Sequence, residues 1–279
     1  MSVHDFVTYA TVGPVAVITL NRPEKANAQS YSLLHELNDA WNEAAADDEV
    51  KVIVLKANGK HFSAGHDMSG GTPDVKTVSP KMANGGFDTA RMYTNELRVY
   101  LGYCLNWRNV PKPSIAAVQG KCIAGGLMLC WPCDLIIAAE NAEFSDPVVR
   151  MGIGGVEYHG HTWELGARRA KELLFTGRSI DALTAERIGM VNRVVPLTDL
   201  ETEVMALAQQ IAQQDSFALL QAKRAVNQTL DIQGFQTALQ SVFDIHHVGH
   251  GAALSRTGYP SLMQLEGMKK AGAETSANK

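Results

Sequence analysis

The sequence predicts a layered α/β fold that is followed by a helical region. Short runs of β-branched and aliphatic residues alternate with longer segments in which apolar residues recur every three or four positions. This alternation is typical of strands and helices packed in layers. No convincing strand follows Pro196. We therefore expect a core over residues 1–196 and a helical region over residues 197–279.

The first elements of the core are a strand and an amphipathic helix. Val15–Leu20 (VAVITL) is a short β-rich run that ends at Asn21-Arg22-Pro23, where the proline forces an extended or turn conformation on its neighbour. From Ser30 onward, apolar residues recur with helical spacing, and Ser30 is placed to cap the helix. A loop therefore joins this strand to this helix.

The same alternation continues along the core. Residues 50–57 contain a VIVL run without polar alternation, which predicts a strand buried on both faces. A helical stretch at 88–107 leads to a strand at Ser114–Val118, and a glycine-rich turn leads to another strand at 135–138.

The last third contains three predicted helices, at 200–211, 217–230 and 235–247. An apolar helical tail after a closed core commonly packs on that core or on a neighbouring subunit. We therefore expect residues 197–279 to form an oligomerisation region.

Composition favours a small-molecule partner. The chain has 279 residues and 46% hydrophobic content, which is enough to bury a large core. With 25 Lys and Arg against 29 Asp and Glu, the formal net charge of -4 supplies no broad basic field for nucleic acid or an anionic membrane. The start lacks a signal-peptide pattern, and no apolar stretch approaches the roughly 20 residues that span a bilayer. We expect a cytoplasmic protein.

The four cysteines predict no disulfide framework and no metal site. They are too few and too clustered for a chain of this length, so we expect reduced thiols. Cys130 and Cys133 have a C-x-x-C spacing, but no second Cys or His pair lies at a zinc-finger distance and the flanking residues are apolar. Buried thiols are the favoured interpretation.

Two glycine-containing loops follow apolar strands and could carry chemistry. In residues 61–68 (HFSAGHDM), Gly65 allows a sharp turn in which successive backbone N–H groups point into one space. In residues 120–127 (GKCIAGGL), Gly125-Gly126 opens a helix-compatible stretch that could present N–H donors. Taken alone, each loop is more often only a tight turn.

Together the two loops belong to a series of ordered motifs. The series comprises LNRPEKANA at 20–28, FSAGHD at 62–67, PKPSIAAVQGKCIAGG at 111–126, CDLIIAAENAEF at 133–144 and ELLFTGRSIDALTAERIGMVNRVV at 172–195. In order and spacing these segments resemble the enoyl-CoA hydratase/isomerase (crotonase) family across nearly the whole chain. The resemblance implies a crotonase (ClpP-like) spiral of strand-strand-helix repeats whose helical C-terminal region builds homotrimers, often paired into hexamers.

The same resemblance implies an acyl-CoA thioester as substrate, with coenzyme A as part of that substrate and no other cofactor. Its thioester oxygen would accept hydrogen bonds from the N–H groups of His66 and Gly125, which stabilise the enolate as its charge develops. The His66 side chain would line the pocket or cap a loop. By the same resemblance, the CoA portion would be received by residues 22–28, by the backbone near Ala64 and by a lysine of the tail. The positions concerned are Arg22, Lys25, Ala26, Ala28, Ala64 and Lys223.

The sequence departs from the family at the two glutamates that hydratases use for acid and base catalysis. Met128 and Val148 stand at those positions, and neither can transfer a proton. Glu157 is nine residues beyond Val148, where some crotonase relatives, including a dehalogenase and a C–C bond hydrolase, place a carboxylate. Glu157 is therefore predicted as nucleophile or general base, with Asp146 and nearby histidines as partners. Alternatively, Glu157 caps or pairs with a helix that starts near Thr162.

Several functions stay open at this point. The segment FSAGHD resembles that of methylmalonyl-CoA decarboxylase relatives, which makes decarboxylation an alternative to hydrolysis of a C–C bond. A non-catalytic acyl-CoA binding protein is a third possibility. A Ser-His-Asp hydrolase is disfavoured because Ser63 lies in a loop without a G-x-S-x-G elbow. The polar residues between Asp146 and His161 favour an oxygenated, cyclic or carboxylated acyl group over a simple saturated tail.

Overall fold

A central parallel sheet organises the chain in the computed structural model, which describes residues 5–68 and 85–277. Within these residues the strands are β1 Val7–Val12, β2 Val15–Leu20, β3 Val52–Ala57, β4 Ser114–Val118, β5 Lys121–Ile123, β6 Leu135–Ala139, β7 Glu143–Ser145, β8 Ile180–Asp181 and β9 Arg193–Val195. The order in the main sheet is β1-β2-β3-β4-β6-β9, with β1 antiparallel to β2 and the other neighbours parallel. A smaller sheet has the order β5-β7-β8.

Helices cover the main sheet and form the end of the chain. In the described residues they are α1 Tyr31–Ala46, α2 Thr89–Glu96, α3 Gly102–Asn109, α4 Gly125–Cys130, α5 His161–Leu165, α6 Ala167–Thr176, α7 Ala182–Arg187, α8 Leu200–Ala212, α9 Ser216–Ile232, α10 Phe235–Thr257 and α11 Leu265–Ala277. An α/β core followed by helices is therefore confirmed.

The main sheet is buried on both faces, as the VIVL run predicts. On one face, Ile53 and Leu55 of β3 belong to the same apolar cluster as Trp41 of α1. On the other face, Val52 and Val54 pack with residues of α8. Helix α8 therefore completes the core, although it lies in the region expected to serve oligomerisation.

Sequence patterns locate the long elements well and the short strands poorly. The strands predicted at Val15–Leu20 and Ser114–Val118 have those bounds, and the side chain of Ser30 accepts a hydrogen bond from the N–H of Leu33 at the start of α1. The strands β5, β7, β8 and β9 span only two or three residues each, so they carry no periodic signal.

The helical stretch predicted at 88–107 is interrupted. A π-helical turn at Leu97–Leu101 separates α2 from α3, and Val99, Tyr100 and Leu101 are buried in it. Such turns insert one extra residue into a helix and are frequent at functional sites. Here the turn follows directly after the buried Glu96, so Glu96 and Tyr100 both face the interior.

The last helices keep large apolar side chains exposed. Phe217 and Val226 of α9 are each 63% exposed, and Ile232 is 87% exposed. None of the residues in α9 is buried. Among the described residues, no helix is long and apolar enough to span a membrane.

Candidate functional site

The loop after β3 runs alongside the second sheet. The N–H of Ser63 donates to the carbonyl of Lys121 at 3.1 Å, and the N–H of Ile123 donates to the carbonyl of Ser63 at 3.0 Å. Gly65 has a φ of +87°, and a Cβ there would lie 2.8 Å from the Ile123 oxygen and 3.2 Å from the Gly125 nitrogen. Glycine is needed for this approach, which brings the two predicted loops together.

The amide groups of His66 and Gly125 are available for a ligand. Gly125 begins α4, so its N–H has no acceptor within the helix. Within residues 5–68 and 85–277, neither of the two amides donates to another protein group. Ala124 holds the preceding backbone at a φ of +48°, a conformation that side-chain-bearing residues rarely adopt.

Two further polar atoms lie beside Gly125. A Cβ at Gly125 would lie 2.9 Å from Oε1 of Gln29 and 3.1 Å from Nδ1 of His66. Both atoms are buried and lack a hydrogen-bond partner in the part of the chain that the structure describes. Because buried polar groups are nearly always paired, this point can receive the polar atoms of a ligand.

His66 connects this point to Glu157. Nε2 of His66 lies 3.0 Å from Oε2 of Glu157, whose side chain is 4% exposed. The ring of Tyr100 stacks on the ring of His66 with a centroid distance of 4.2 Å, which fixes the plane of the imidazole. The His66 side chain therefore lies between Glu157 and Gly125, which favours the pocket-lining role over the loop-capping one.

The electrostatics of the pair favour an imidazolium and a carboxylate. Burial by itself would lower the pKa of His66, but the carboxylate of Glu157 raises it above its usual value. Burial would likewise raise the pKa of Glu157, but the charges of His66 and His246 hold it well below its usual range. The two side chains form an ion pair, and the Nδ1 atom of His66 points toward Gly125.

A second carboxylate and further histidines lie behind Glu157. Oε1 of Glu157 is 3.5 Å from Nε2 of His246, and Oε2 of Glu96 is 3.7 Å from the same nitrogen. His247 and His250 contact Glu96 at 3.1 and 3.9 Å. Sequence reasoning missed all of these residues, although the H-H-x-x-H spacing in a predicted helix was a signal that two imidazoles share one face.

Asp146 has a structural role. Its side chain is fully buried, and its carboxylate accepts hydrogen bonds from the N–H groups of Val156 at 3.0 Å and Val148 at 3.4 Å. His161 lies 2.9 Å from the same carboxylate. The oxygens of Asp146 therefore organise the turn that presents Glu157, and a catalytic role for Asp146 stays a prediction.

The structure contradicts the alternative in which Glu157 caps or pairs with helix α5. Helix α5 begins after Gly160 and has no side-chain cap. The Glu157 carboxylate instead contacts His66 and His246. The carboxylate is held ionised between the two imidazoles, which is the protonation state that a general base needs.

A buried arginine fixes the conformation of the loop that is predicted to receive CoA. The guanidinium of Arg22 is buried, donates to Asp67 at 2.7 Å and to the carbonyl of Ala28 at 3.0 Å, and is therefore committed to the protein. Arg22 lies in the loop that is expected to receive CoA, and its side chain holds that loop in place. The N–H of Ala64 donates to the carbonyl of Ala26 at 2.9 Å, so the two loops predicted to receive CoA are adjacent.

The two predicted lysines lie in different places. Lys25 is exposed at the end of a short 3₁₀ helix in the same loop. Lys223 lies 2.9 Å from Asp134 and also donates to the carbonyl of Lys112. Asp134 precedes β6, so this lysine sits at the edge of the sheet opposite to the two loops. Within one chain, Lys223 therefore does not approach the two loops.

The positions of the two family glutamates are apolar and packed. Met128 is 1% exposed and Val148 is 8% exposed. The four cysteines are buried and unbridged, as predicted, and burial raises the pKa values of Cys104, Cys130 and Cys133. The thiols are therefore poor nucleophiles.

Residues 11–253 match the sequence profile of the family described as enoyl-CoA hydratase/isomerase. Over 260 residues, the chain is 42% identical to a Mycobacterium tuberculosis protein named "Putative enoyl-CoA hydratase EchA13", covering 88% of this chain and 81% of that protein.

Solved structures have the same fold. The chain is 60% identical to a "probable enoyl-CoA hydratase" from Mycobacterium smegmatis, with a TM-score of 0.86 and coverage of 93% of this chain and 100% of that one. It is 30% identical to a "monofunctional enoyl CoA isomerase" from M. smegmatis, with a TM-score of 0.66 and coverage of 81% and 94%. The crotonase-type fold expected from the sequence motifs is thus confirmed.

Proposed function

Since the chain belongs to the enoyl-CoA hydratase/isomerase family, we propose that it stabilises the enolate of an acyl-CoA thioester at the amides of His66 and Gly125, with Glu157 as the base. The observation that carries this proposal is the convergence at Gly125 of unpaired polar atoms with the His66–Glu157 pair. Preorganised N–H donors favour the charged enolate over the neutral thioester, so they lower the barrier.

The proton route follows from the contacts of Glu157. Removal of the α-proton transfers it to the carboxylate and leaves the electron pair in the enolate, whose oxygen faces the two amides. The imidazole of His66 lies between the base and the enolate site, because its Nε2 contacts Glu157 and its Nδ1 lies beside Gly125. An oxygen on the acyl group could therefore pair with Nδ1.

This arrangement favours an acyl group with polar atoms. An aliphatic tail would leave the Nδ1 atom of His66 and the Oε1 atom of Gln29 buried without partners, which costs free energy. Bond cleavage or rearrangement through the enolate, including decarboxylation or C–C hydrolysis, suits such a substrate better than hydration of a simple enoyl chain.

A panel of CoA thioesters tests the proposal. Calorimetry should detect binding of acyl-CoA at micromolar concentration, and turnover should be faster with oxygenated, cyclic or carboxylated acyl groups than with straight-chain enoyl groups. If no acyl-CoA binds, the substrate class is wrong. If straight-chain enoyl-CoAs outperform every polar analogue, the role assigned to the polar atoms is wrong.

For the CoA portion, we propose the loop from Arg22 to Ala28 together with the backbone at Ala64, with Lys25 as the phosphate partner. Lys25 is exposed in this loop, whereas Arg22 serves to hold the loop in place. A Lys25→Gln variant should bind acyl-CoA more weakly, while Lys60→Gln, another exposed lysine with no proposed role, should bind normally.

The exposed apolar residues of α9 support assembly into a homotrimer or a dimer of trimers. Phe217, Val226 and Ile232 would lose water-exposed apolar surface in such a contact. Light scattering coupled to gel filtration tests this, and a monomer at micromolar concentration would rule it out.

A further inference from the structure

Three side chains behind the candidate base are arranged as ligands of one ion. Oε2 of Glu96 and the Nε2 atoms of His246 and His250 all lie within 4.8 Å of one another. The separations are 2.9 Å between the two histidines, 3.7 Å from Glu96 to His246 and 3.9 Å from Glu96 to His250. Two ligands about 2.0–2.1 Å from a tetrahedral ion are roughly 3.3 Å apart, a value within this range.

The outer contacts of the two histidines orient them as metal ligands. Nδ1 of His246 lies 2.7 Å from the carbonyl of Gly155, and Nδ1 of His250 lies 2.6 Å from the carbonyl of Pro260. A carbonyl can only accept, so each Nδ1 carries a hydrogen, and each Nε2 can present its lone pair once the ion displaces the Nε2 proton of the His246 imidazolium and the hydrogen bond between the two Nε2 atoms. Metal-binding histidines in proteins commonly have this second contact to a carbonyl or a carboxylate.

One carboxylate oxygen of the third side chain lacks a hydrogen bond of acceptable geometry. Glu96 is 3% exposed, and in the described part of the chain its Oε2 makes no hydrogen bond of acceptable geometry, although His247 lies 3.1 Å away. A buried carboxylate oxygen without a hydrogen bond is expensive unless a cation meets it. This oxygen faces the two Nε2 atoms, so one cation would satisfy all three side chains.

The local backbone explains how these residues meet. His246 and His250 are four residues apart on α10, which puts their side chains on one face of the helix. Glu96 ends α2 immediately before the π-helical turn. A cavity of about 590 Å³ between α2 and α10 is lined in part by Tyr93 and by His247, whose Nε2 lies 3.1 Å from Oε2 of Glu96.

We propose that Glu96, His246 and His250 form a binding site for a divalent transition metal ion of the zinc type. Two imidazoles and one carboxylate are a ligand set that zinc and cobalt accept, with room for a further donor. Two such donors are close: Nε2 of His247 lies 3.1 Å from Oε2 of Glu96, and Oε1 of Glu157 lies 3.5 Å from Nε2 of His246. The site rests on this geometry alone and does not depend on the proposed reaction.

Binding of cobalt tests the site without any assay of turnover. The untagged full-length chain is treated with a chelator, dialysed and titrated with Co²⁺, with the bound metal measured by elemental analysis. We expect about one ion per chain with micromolar or tighter affinity, visible absorption of a four- or five-coordinate cobalt site, and displacement by Zn²⁺. Binding of much less than one ion per chain, or the spectrum of hydrated cobalt, would overturn the proposal.

Variants locate the ion. His250→Gln and Glu96→Gln should each weaken Co²⁺ binding by about 100-fold or more, whereas His35→Gln removes a histidine outside the cluster and should leave it unchanged. Undiminished affinity in both cluster variants would overturn the assignment. If one variant fails to fold, the spectrum of the wild-type protein and the other variant still decide. Metal binding with no acyl-CoA turnover would leave this site standing and count against the proposed function only.

Discussion

Nε2 of His66 lies 3.0 Å from Oε2 of Glu157, although the two residues are 91 positions apart in the sequence. The contact joins the loop after β3 to the turn before α5, and Tyr100 of the π-helical turn stacks on the imidazole. The candidate site therefore depends on three separate segments of the chain. Substitutions that disturb this contact should affect chemistry, whereas substitutions that leave it intact should affect only stability.

Hydration of crotonyl-CoA should be very weak. Met128 and Val148 occupy the positions of the two family glutamates, are buried and transfer no protons. Each missing proton-transfer group is worth roughly 10²-fold or more. Steady-state measurement of hydration beside an authentic hydratase provides the comparison. A turnover rate within about tenfold of that enzyme would contradict the account.

Gly65→Ala should impair acyl-CoA binding and turnover. The added Cβ would lie 2.8 Å from the Ile123 oxygen and 3.2 Å from the Gly125 nitrogen, so the loop must move away from the second amide. Gly189→Ala is a matched control, because Gly189 has nearly the same φ of +85° with nothing within 4 Å of the added atom. Both variants should lose about 1–2 kcal/mol of stability from the positive φ. Equal activity in the two variants would contradict the proposed loop contact.

Arg22→Ala should destabilise the fold by about 3–5 kcal/mol, because it removes the buried guanidinium that pairs with the carboxylate of Asp67 at 2.7 Å. Lys269→Ala removes one half of an exposed pair and should cost no more than about 1 kcal/mol. Denaturant unfolding of the three proteins measures both changes. A cost for Arg22→Ala as small as that for Lys269→Ala would show that the guanidinium does not brace the loop.

Glu164 should make stability depend on pH. Burial raises the pKa of Glu164 to about 7, with Arg108 partly opposing the shift. The folded chain then holds a proton that the unfolded chain loses near its ordinary value of 4.5, so this group lowers stability as pH rises from about 4.5 to about 7. The slope for one proton is at most about 1.4 kcal/mol per pH unit.

Glu164→Gln should remove this contribution. The variant should gain stability relative to the wild type as pH increases across that window, and the difference should level off above it. Glu172→Gln, on the exposed side of α6, serves as the control. Parallel curves for Glu164→Gln and the wild type would show that the carboxyl group has its ordinary pKa in the folded chain.

Local patterns predicted the elements that carry a strong periodic signal. The apolar runs at β2, β3 and β4 and the capped helix α1 could be located from the sequence because each satisfies its own local preferences. The π-helical turn could not, because it arises from packing in the interior and has no periodicity of its own.

The site could be predicted only in part, for a related reason. Glu157 could be identified because it lies nine residues after Val148, at a position where some family members place a carboxylate. Its partner His66 could not be predicted from neighbouring residues. Asp146 is nearer in sequence, yet its carboxylate accepts hydrogen bonds from the N–H groups of its own turn. Arg22 and Lys223 are cations among the residues expected to receive CoA, whereas the fold supplies each with an internal carboxylate. Partner choice among charged groups is decided by tertiary contacts.

Solvent deuterium exchange at the α-carbon of a bound acyl-CoA tests the central claim most directly, because it requires only enolate formation. We expect the wild-type protein to catalyse the exchange, Glu157→Gln to slow it by about 10²-fold or more while still binding the thioester, and Glu143→Gln, an exposed glutamate, to match the wild type. Exchange at the wild-type rate in Glu157→Gln, or no exchange in the wild type despite binding, would contradict the account.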